Sequence, residues 1–141
     1  MSNLMIKEFV YNVPVEQLWQ ALTHADQLKK WYFPQIQKFE PVVGYEIQFD
    51  DDQQEYQKKW IVTKIIEGRT FSHSWAYQGY PGTSEVTFDL FANGHSTKLR
   101  VTHTGLDSFA NDPHFYRERF DWGWDNLLGR NLKELLEGGH L

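Results

Sequence analysis

Cysteine is absent from the 141 residues, which excludes disulfides, thiolate nucleophiles and cysteine-ligated metal centres. No apolar run approaches the ~18 residues that a bilayer-crossing helix needs. Met1-Ser2-Asn3-Leu4 also lacks the basic and continuous apolar regions of a signal peptide. A cytoplasmic protein without membrane insertion is the reading that follows. Basic residues are the scarcer charge, 14 against 19 acidic, for a formal net charge of -5. They are scattered, with local pairs such as Lys29-Lys30, Lys58-Lys59 and Arg117/Arg119, whereas nucleic-acid binding needs cations concentrated along a phosphate path. Catalytic signatures are missing as well: there is no glycine-rich phosphate loop, no His-Glu-x-x-His helix and no Gly-x-Ser-x-Gly elbow. The six histidines, at 24, 73, 95, 103, 114 and 140, include no pair at helical ligand spacing, so neither a metal nor a cofactor is expected. Asp50-Asp51-Asp52 lacks the spaced ligands and the glycine of a calcium loop and reads as a solvated turn.

What the chain has in quantity is rings. Phe, Trp and Tyr make up 16% of the residues, six of them Trp, enough either to fill a large-ring core or to line an apolar pocket. Composition does not separate the two. The length fits one domain, residues 1–141, able to bury roughly two thirds of the surface of its unfolded form.

Local patterns give an order of elements. Leu4 to Asn12 alternates as a first strand, with Phe9 and Tyr11 on one face. Pro14 opens a short helix whose Val15, Leu18, Trp19 and Leu22 share one face. Thr23, followed three residues later by Asp26, reads as the cap of a second helix that carries Leu28, Trp31 and Tyr32 and stops before Pro34. From Gln35 to Thr104 the period becomes two. Tyr45, Ile47 and Phe49; Phe71, His73, Trp75 and Tyr77; Val86, Phe88 and Leu90; and Leu99, Val101 and His103 each alternate with polar neighbours, and Glu67-Gly68, Tyr80-Pro81-Gly82 and Asn93-Gly94 punctuate them. About six antiparallel strands follow the two helices. A long helix over about 113–137 then starts at Asn111-Asp112-Pro113 or a few residues later, with Phe120, Trp124, Leu127, Leu128, Leu132, Leu135 and Leu136 as its apolar stripe and Gly138-Gly139 as its stop. Gly123 and Gly129 inside that helix point to close packing or a nearby cavity. The result is an α+β fold in which a curved antiparallel sheet of about seven strands wraps the last helix.

Two matched segments add to this reading. Val13-Pro14-Val15-Glu16-Gln17-Leu18-Trp19-Gln20-Ala21-Leu22 with Leu28-Lys29-Lys30-Trp31-Tyr32-Phe33-Pro34 stand near the start, and Thr97-Lys98-Leu99-Arg100-Val101-Thr102-His103-Thr104-Gly105-Leu106 with Gly123-Trp124 near the end. Over nearly its whole length the chain resembles the SRPBCC superfamily, also called START-like or Bet v 1-like, and within it the group homologous to the C-terminal domain of the activator of heat-shock protein 90 ATPase. The resemblance implies the helix-grip fold with an internal cavity between sheet and C-terminal helix. Three positions depart from the family pattern: a single Gly44 before Tyr45, Asn131 at an inward position of the last helix, and Val13 before Pro14.

The resemblance and the inward rings favour binding of a hydrophobic small molecule, apolar, aromatic or acyl. Trp31, Tyr32 and Phe33 fall where the second helix meets the open end of the grip. Phe49, Trp60, Trp75, Tyr77 and Phe88 supply its walls, and Phe109 lies in the segment leading to the last helix, with Phe115 and Tyr116 beyond it. His103 shares the inward parity of Leu99 and Val101, and His73 that of Phe71 and Trp75. Each histidine is either a ligand contact, an acid/base in a cavity enzyme of cyclase or hydrolase type, or a buried imidazole bonded to a neighbour. A third function is binding to the heat-shock ATPase itself. Full activators carry a further N-terminal domain for which 141 residues leave no room, so only weak ATPase stimulation is expected. Both a monomer and a homodimer fit the sequence.

Overall fold

The computed structural model describes residues 4–50, 57–109 and 115–138. Strand β1 (Met5–Tyr11) leads into helices α1 (Val15–Thr23) and α2 (Ala25–Trp31). Strands β2 (Ile36–Lys38), β3 (Gln48–Phe49), β4 (Lys58–Lys59), β5 (Val62–Ile66), β6 (Thr70–Tyr77), β7 (Ser84–Asn93) and β8 (Ser96–Thr104) follow, and helix α3 (Arg117–Asn126) continues in wider π-helical turns over Leu127–Leu132 and Glu134–Gly138. The order of the main sheet is β1-β8-β7-β6, with β4 and β5 both pairing with β6, and every pairing is antiparallel. Trp60 and Ile61 separate β4 from β5, so the two are one interrupted strand, and the described residues hold seven strands on that count. This is the helix-grip architecture expected. The stretch from Tyr45 to Phe49 serves two partners: Val62 N donates to Tyr45 O and Ile47 N to Trp60 O (both 2.9 Å), while Phe49 pairs with Ile36 of β2.

The turn between α1 and α2 differs from the sequence expectation. Thr23 is still within α1, and its hydroxyl donates to Trp19 O at 2.7 Å instead of capping α2. The last carbonyls of a helix lack intrahelical donors, and α1 obtains two more from side chains: the His24 ring on Gln20 O (3.1 Å) and the Trp31 indole on Ala21 O (2.8 Å). The two helices are thereby held as one corner.

Strand parity places the core. Direct cross-strand partners share a face, so Met5, His103, Val86, His73 and Val62 form one inward row, and Val101, Phe88 and Phe71 another. All eight are buried. Lys7 belongs to the second row and faces α3, where it pairs with Asp121 and Asp125. The buried residues of α3 and its continuation, Phe120, Trp124, Leu128 and Leu132, are spaced by four. In an α-helix each such step overshoots a full turn by roughly 40°, whereas a π turn holds more than four residues and takes the drift back. The change of winding at Leu127 therefore keeps one stripe on the sheet. The Tyr11 hydroxyl fixes the junction by donating to Leu128 O at 2.7 Å.

Two glycines lock the end of the grip. A Cβ on Gly82 (φ 99) would stand 2.5 Å from Ser108 O, and one on Gly105 (φ 84) 2.9 Å from Thr83 O. Across this close approach Thr83 N donates to Ser108 Oγ (2.9 Å), and that hydroxyl donates back to Thr83 O (2.7 Å). The β6–β7 loop is thus joined to the turn after β8. The expected start of the last helix at Asn111-Asp112-Pro113, Asp51 and Asp52 of the acidic run, and Gly139 all lie outside the described residues.

Candidate functional site

The inward rings of β6 meet those of α2 and α3 in one continuous aromatic assembly. Trp60 stacks on His73 (centroids 4.4 Å, 24°), Tyr32 stacks on Trp31 (4.4 Å, 6°), and Phe49 sets its ring edge-on to Trp60 (5.2 Å, 88°). Phe88 lies edge-on to both Trp31 (6.3 Å) and Trp124 (5.8 Å). Such contacts contribute about 0.5–1.5 kcal/mol each beyond the area they bury, and they fill most of the space between sheet and helix with side chains.

The space left open is a cleft of about 170 Å³ between β6 and the first turns of α3. Phe33, Lys58, Trp75, Tyr77, Arg119, Phe120, Trp122, Gly123, Trp124 and Leu127 line it. A wider depression of about 700 Å³ lies between the α1–α2 corner, Phe39 and Pro41, and the Glu67-Gly68 turn, where Glu16, Gln20, His24, Asp26 and Glu67 are among the lining residues. Of the residues singled out by sequence, Phe33, Trp75 and Tyr77 stand in the wall of the aromatic cleft. Trp31, Tyr32, Phe49, Trp60, His73, Phe88 and His103 are placed in the ring assembly behind it, and Phe109 stacks on Phe120 (6.0 Å, 8°) beside it. Sequence reasoning did not count Lys58, Arg119 or Trp122 as site residues, and it placed Trp124 in the apolar stripe of the last helix. Gly123 was the available signal: a helical glycine between two tryptophans, and it opens on the cleft, with nothing within 4 Å of a Cβ built there.

The two inward histidines are fully buried, and their partners determine where each proton sits. The Ser74 carbonyl can only accept, so His73 donates to it from Nδ1 (2.8 Å) and Nε2 accepts from the Tyr32 hydroxyl (2.9 Å). Burial lowers the His73 pKa to about 4, against an opposing pull from the Ser74 bond, and raises that of Tyr32 well above its ordinary value. At His103, Nδ1 accepts from the Trp124 indole N–H (3.2 Å). The single hydroxyl proton of Ser84 goes to Trp75 O (2.9 Å), so His103 Nε2–H donates to Ser84 Oγ (2.8 Å). Burial, followed by the His73 and Arg117 charges, lowers the His103 pKa to about 3. Both rings are neutral near pH 7 with every nitrogen bonded, and neither lines the cleft.

One buried donor in the assembly has no partner, the indole N–H of Trp60. Among the described residues no group of three or more His, Asp or Glu could hold a metal ion, and no helix is long and apolar enough to cross a membrane.

A helix-grip domain with an aromatic cleft at the mouth of its grip is thus what the geometry defines. The chain belongs to the family described as Activator of Hsp90 ATPase homolog 1-like protein, whose model matches residues 12–137. Among solved structures, the chain is similar to the Aha1 dimer from Colwellia psychrerythraea, with 26% identity, 98% of each chain covered and a TM-score of 0.72. It is also similar to a protein from Mesorhizobium loti (23% identity, 98% of this chain and 99% of that one, TM-score 0.75). An HSP90 activator from Plasmodium falciparum matches at 19% identity over 94% of this chain and 92% of that one, TM-score 0.71. No curated protein matches this chain by sequence.

Proposed function

We propose that this protein binds a small apolar ligand in the cleft between β6 and α3. The observation that carries the reading is an opening of about 170 Å³ walled by Phe33, Trp75, Tyr77, Phe120, Trp122 and Trp124. A cavity of roughly 150 Å³ accepts benzene, so one aromatic ring is the size of occupant this opening takes. Binding is favoured over turnover because both inward imidazoles are neutral, fully bonded and outside the lining of the cleft, which leaves them without the free lone pair or the proton that acid/base work requires. Titration with toluene and indole, followed by tryptophan emission and by amide chemical shifts, tests the reading. Saturable shifts confined to Phe33, Trp75 and the first turns of α3 support it; no saturable change up to the solubility limit defeats it.

A second reading rests on the family description and on the Plasmodium relative, which is named an HSP90 activator. Under it the protein docks on the chaperone through its surface. Stimulation of the chaperone ATPase by the purified chain measures this directly, and weak stimulation is the expected result. The Colwellia relative is a dimer, and sedimentation velocity establishes whether this chain shares that state.

A further inference from the structure

Among the described residues, the charged side chains that line the cleft are both basic, Lys58 of β4 and Arg119 of the first turn of α3, in a chain whose net charge is -5. They reach the opening from its two sides, sheet and helix. The Lys58 ammonium lies 4.2 Å from the centroid of Phe33, a wall ring. Arg119 stands near enough to the wall residue Tyr77 to pull on its hydroxyl, although burial, the larger influence, still pushes that pKa up to about 12.

Four cations outside the cleft stand in ion pairs. Lys7 has Asp121 and Asp125, Lys98 and Arg100 share Glu8, and Lys133 has Glu137. Arg119 makes no ion pair with a described residue, and Glu118, its neighbour in sequence, is not part of the lining. A planar guanidinium beside a ring-sized apolar slot matches a planar carboxylate on a ring, because the fork of N–H donors accepts two oxygens at once while the ring stays among apolar walls. Trp122, 70% exposed and on the same lip, supplies a face for the outer side of that ring.

We infer that the cleft selects an aryl carboxylate: one aromatic ring between Phe33, Trp75, Phe120 and Trp122, with its carboxylate held at the mouth by Arg119 and Lys58. This rests on the cleft being the ligand site, and a matched pair of probes keeps the two claims apart. Benzoate and its uncharged ester, methyl benzoate, are titrated into the wild-type protein and into Arg119→Gln and Arg119→Gln/Lys58→Gln variants, at low and at high salt. Thermal melts confirm that the variants fold; both side chains reach the surface.

Benzoate is expected to bind about three- to tenfold tighter than the ester at low salt, the range of one or two exposed ion pairs, with the gap closing at about 0.5 M salt. Arg119→Gln narrows the gap and the double variant removes it, while ester affinity stays within about twofold. Ester binding without a preference for benzoate overturns the carboxylate inference and leaves the cleft reading standing, as does a preference that survives in the double variant. Failure of both probes to bind overturns both.

Discussion

His73 and His103 face the helix from one cross-strand row, on either side of Val86, and carry their ring protons on opposite nitrogens, Nδ1 in His73 and Nε2 in His103. Both pKa values lie below the ordinary 6.5, at about 4 and about 3. Between 6.5 and those values the unfolded chain takes up protons that the folded chain refuses. Stability from these groups is therefore full above about pH 6.5 and falls as the pH drops toward 4 and then 3. Urea midpoints measured from pH 7.5 to 4 should fall steadily. Carboxylates contribute to the same fall at its acid end, so the informative quantity is the difference between wild type and His103→Gln. At pH 7 the variant should lose about 1–3 kcal/mol, because glutamine is not placed to meet both Ser84 and Trp124. It should then lose less than wild type on acidification. A parallel pH dependence in the two proteins would show that His103 takes up its proton equally in both states.

Trp31 and Trp60 are both fully buried, but only Trp31 has a partner for its indole N–H, the Ala21 carbonyl at 2.8 Å. Replacement of either by Phe removes packed ring area. Trp31→Phe additionally strips a donor from the end of α1, whereas Trp60→Phe removes a group whose unmet hydrogen bond already costs about 1–3 kcal/mol. Chemical denaturation should show Trp31→Phe to be the more destabilising by about 1 kcal/mol or more. The reverse order would mean that the Trp60 N–H is satisfied in solution, for instance by a water.

The alternation of Leu99, Val101 and His103 and of Phe71, His73 and Trp75 was sufficient to turn both histidines inward, because a strand has only two faces. It carried no information on the partners of each imidazole. Ser84 and Trp124 reach His103 from another strand and from the helix, 19 and 21 residues away. The change of winding at Leu127 was equally illegible: the apolar spacing there suits an α-helix, and the four-residue repeat of Phe120, Trp124, Leu128 and Leu132 acquires meaning only against a sheet. Trp122 and Arg119 lie off the apolar stripe of α3, so periodicity reads them as solvated. Their part in the cleft follows from the side of the helix that borders Trp75 and Tyr77 at the end of β6, a tertiary fact.

Trp122 separates ligand contact from stability. At 70% exposure it gives the fold little, and Trp122→Ala should change the unfolding free energy by no more than about 0.5 kcal/mol. It should weaken a single-ring probe about two- to tenfold, the amount that one ring–ring contact supplies. Isothermal titration and a urea melt on the same preparation measure both quantities. An unchanged affinity would remove Trp122 from the site, and a large loss of stability would mean that the ring packs on the fold more closely than its exposure allows.

Gly123 and Gly129 occupy the same helical run but meet different surroundings, and alanine should separate them. A Cβ at Gly123 meets nothing within 4 Å, while one at Gly129 stands 3.2 Å from Cε1 of Phe9. Alanine in a helix is favoured over glycine by about 1 kcal/mol. Gly123→Ala should realise most of that gain, with a higher thermal midpoint. At Gly129 the half-buried Phe9 ring has to shift by a few tenths of an ångström, which offsets the gain and leaves the variant near neutral or destabilised. Because Gly123 lines the cleft and a methyl group there would occupy open space, the same substitution that stabilises the fold should narrow the opening and weaken ring probes severalfold. A glycine kept in a helix against its own propensity would then be explained by the space it leaves. If Gly123→Ala raised the midpoint without affecting probe binding, the cleft beside α3 would not be where the probes sit.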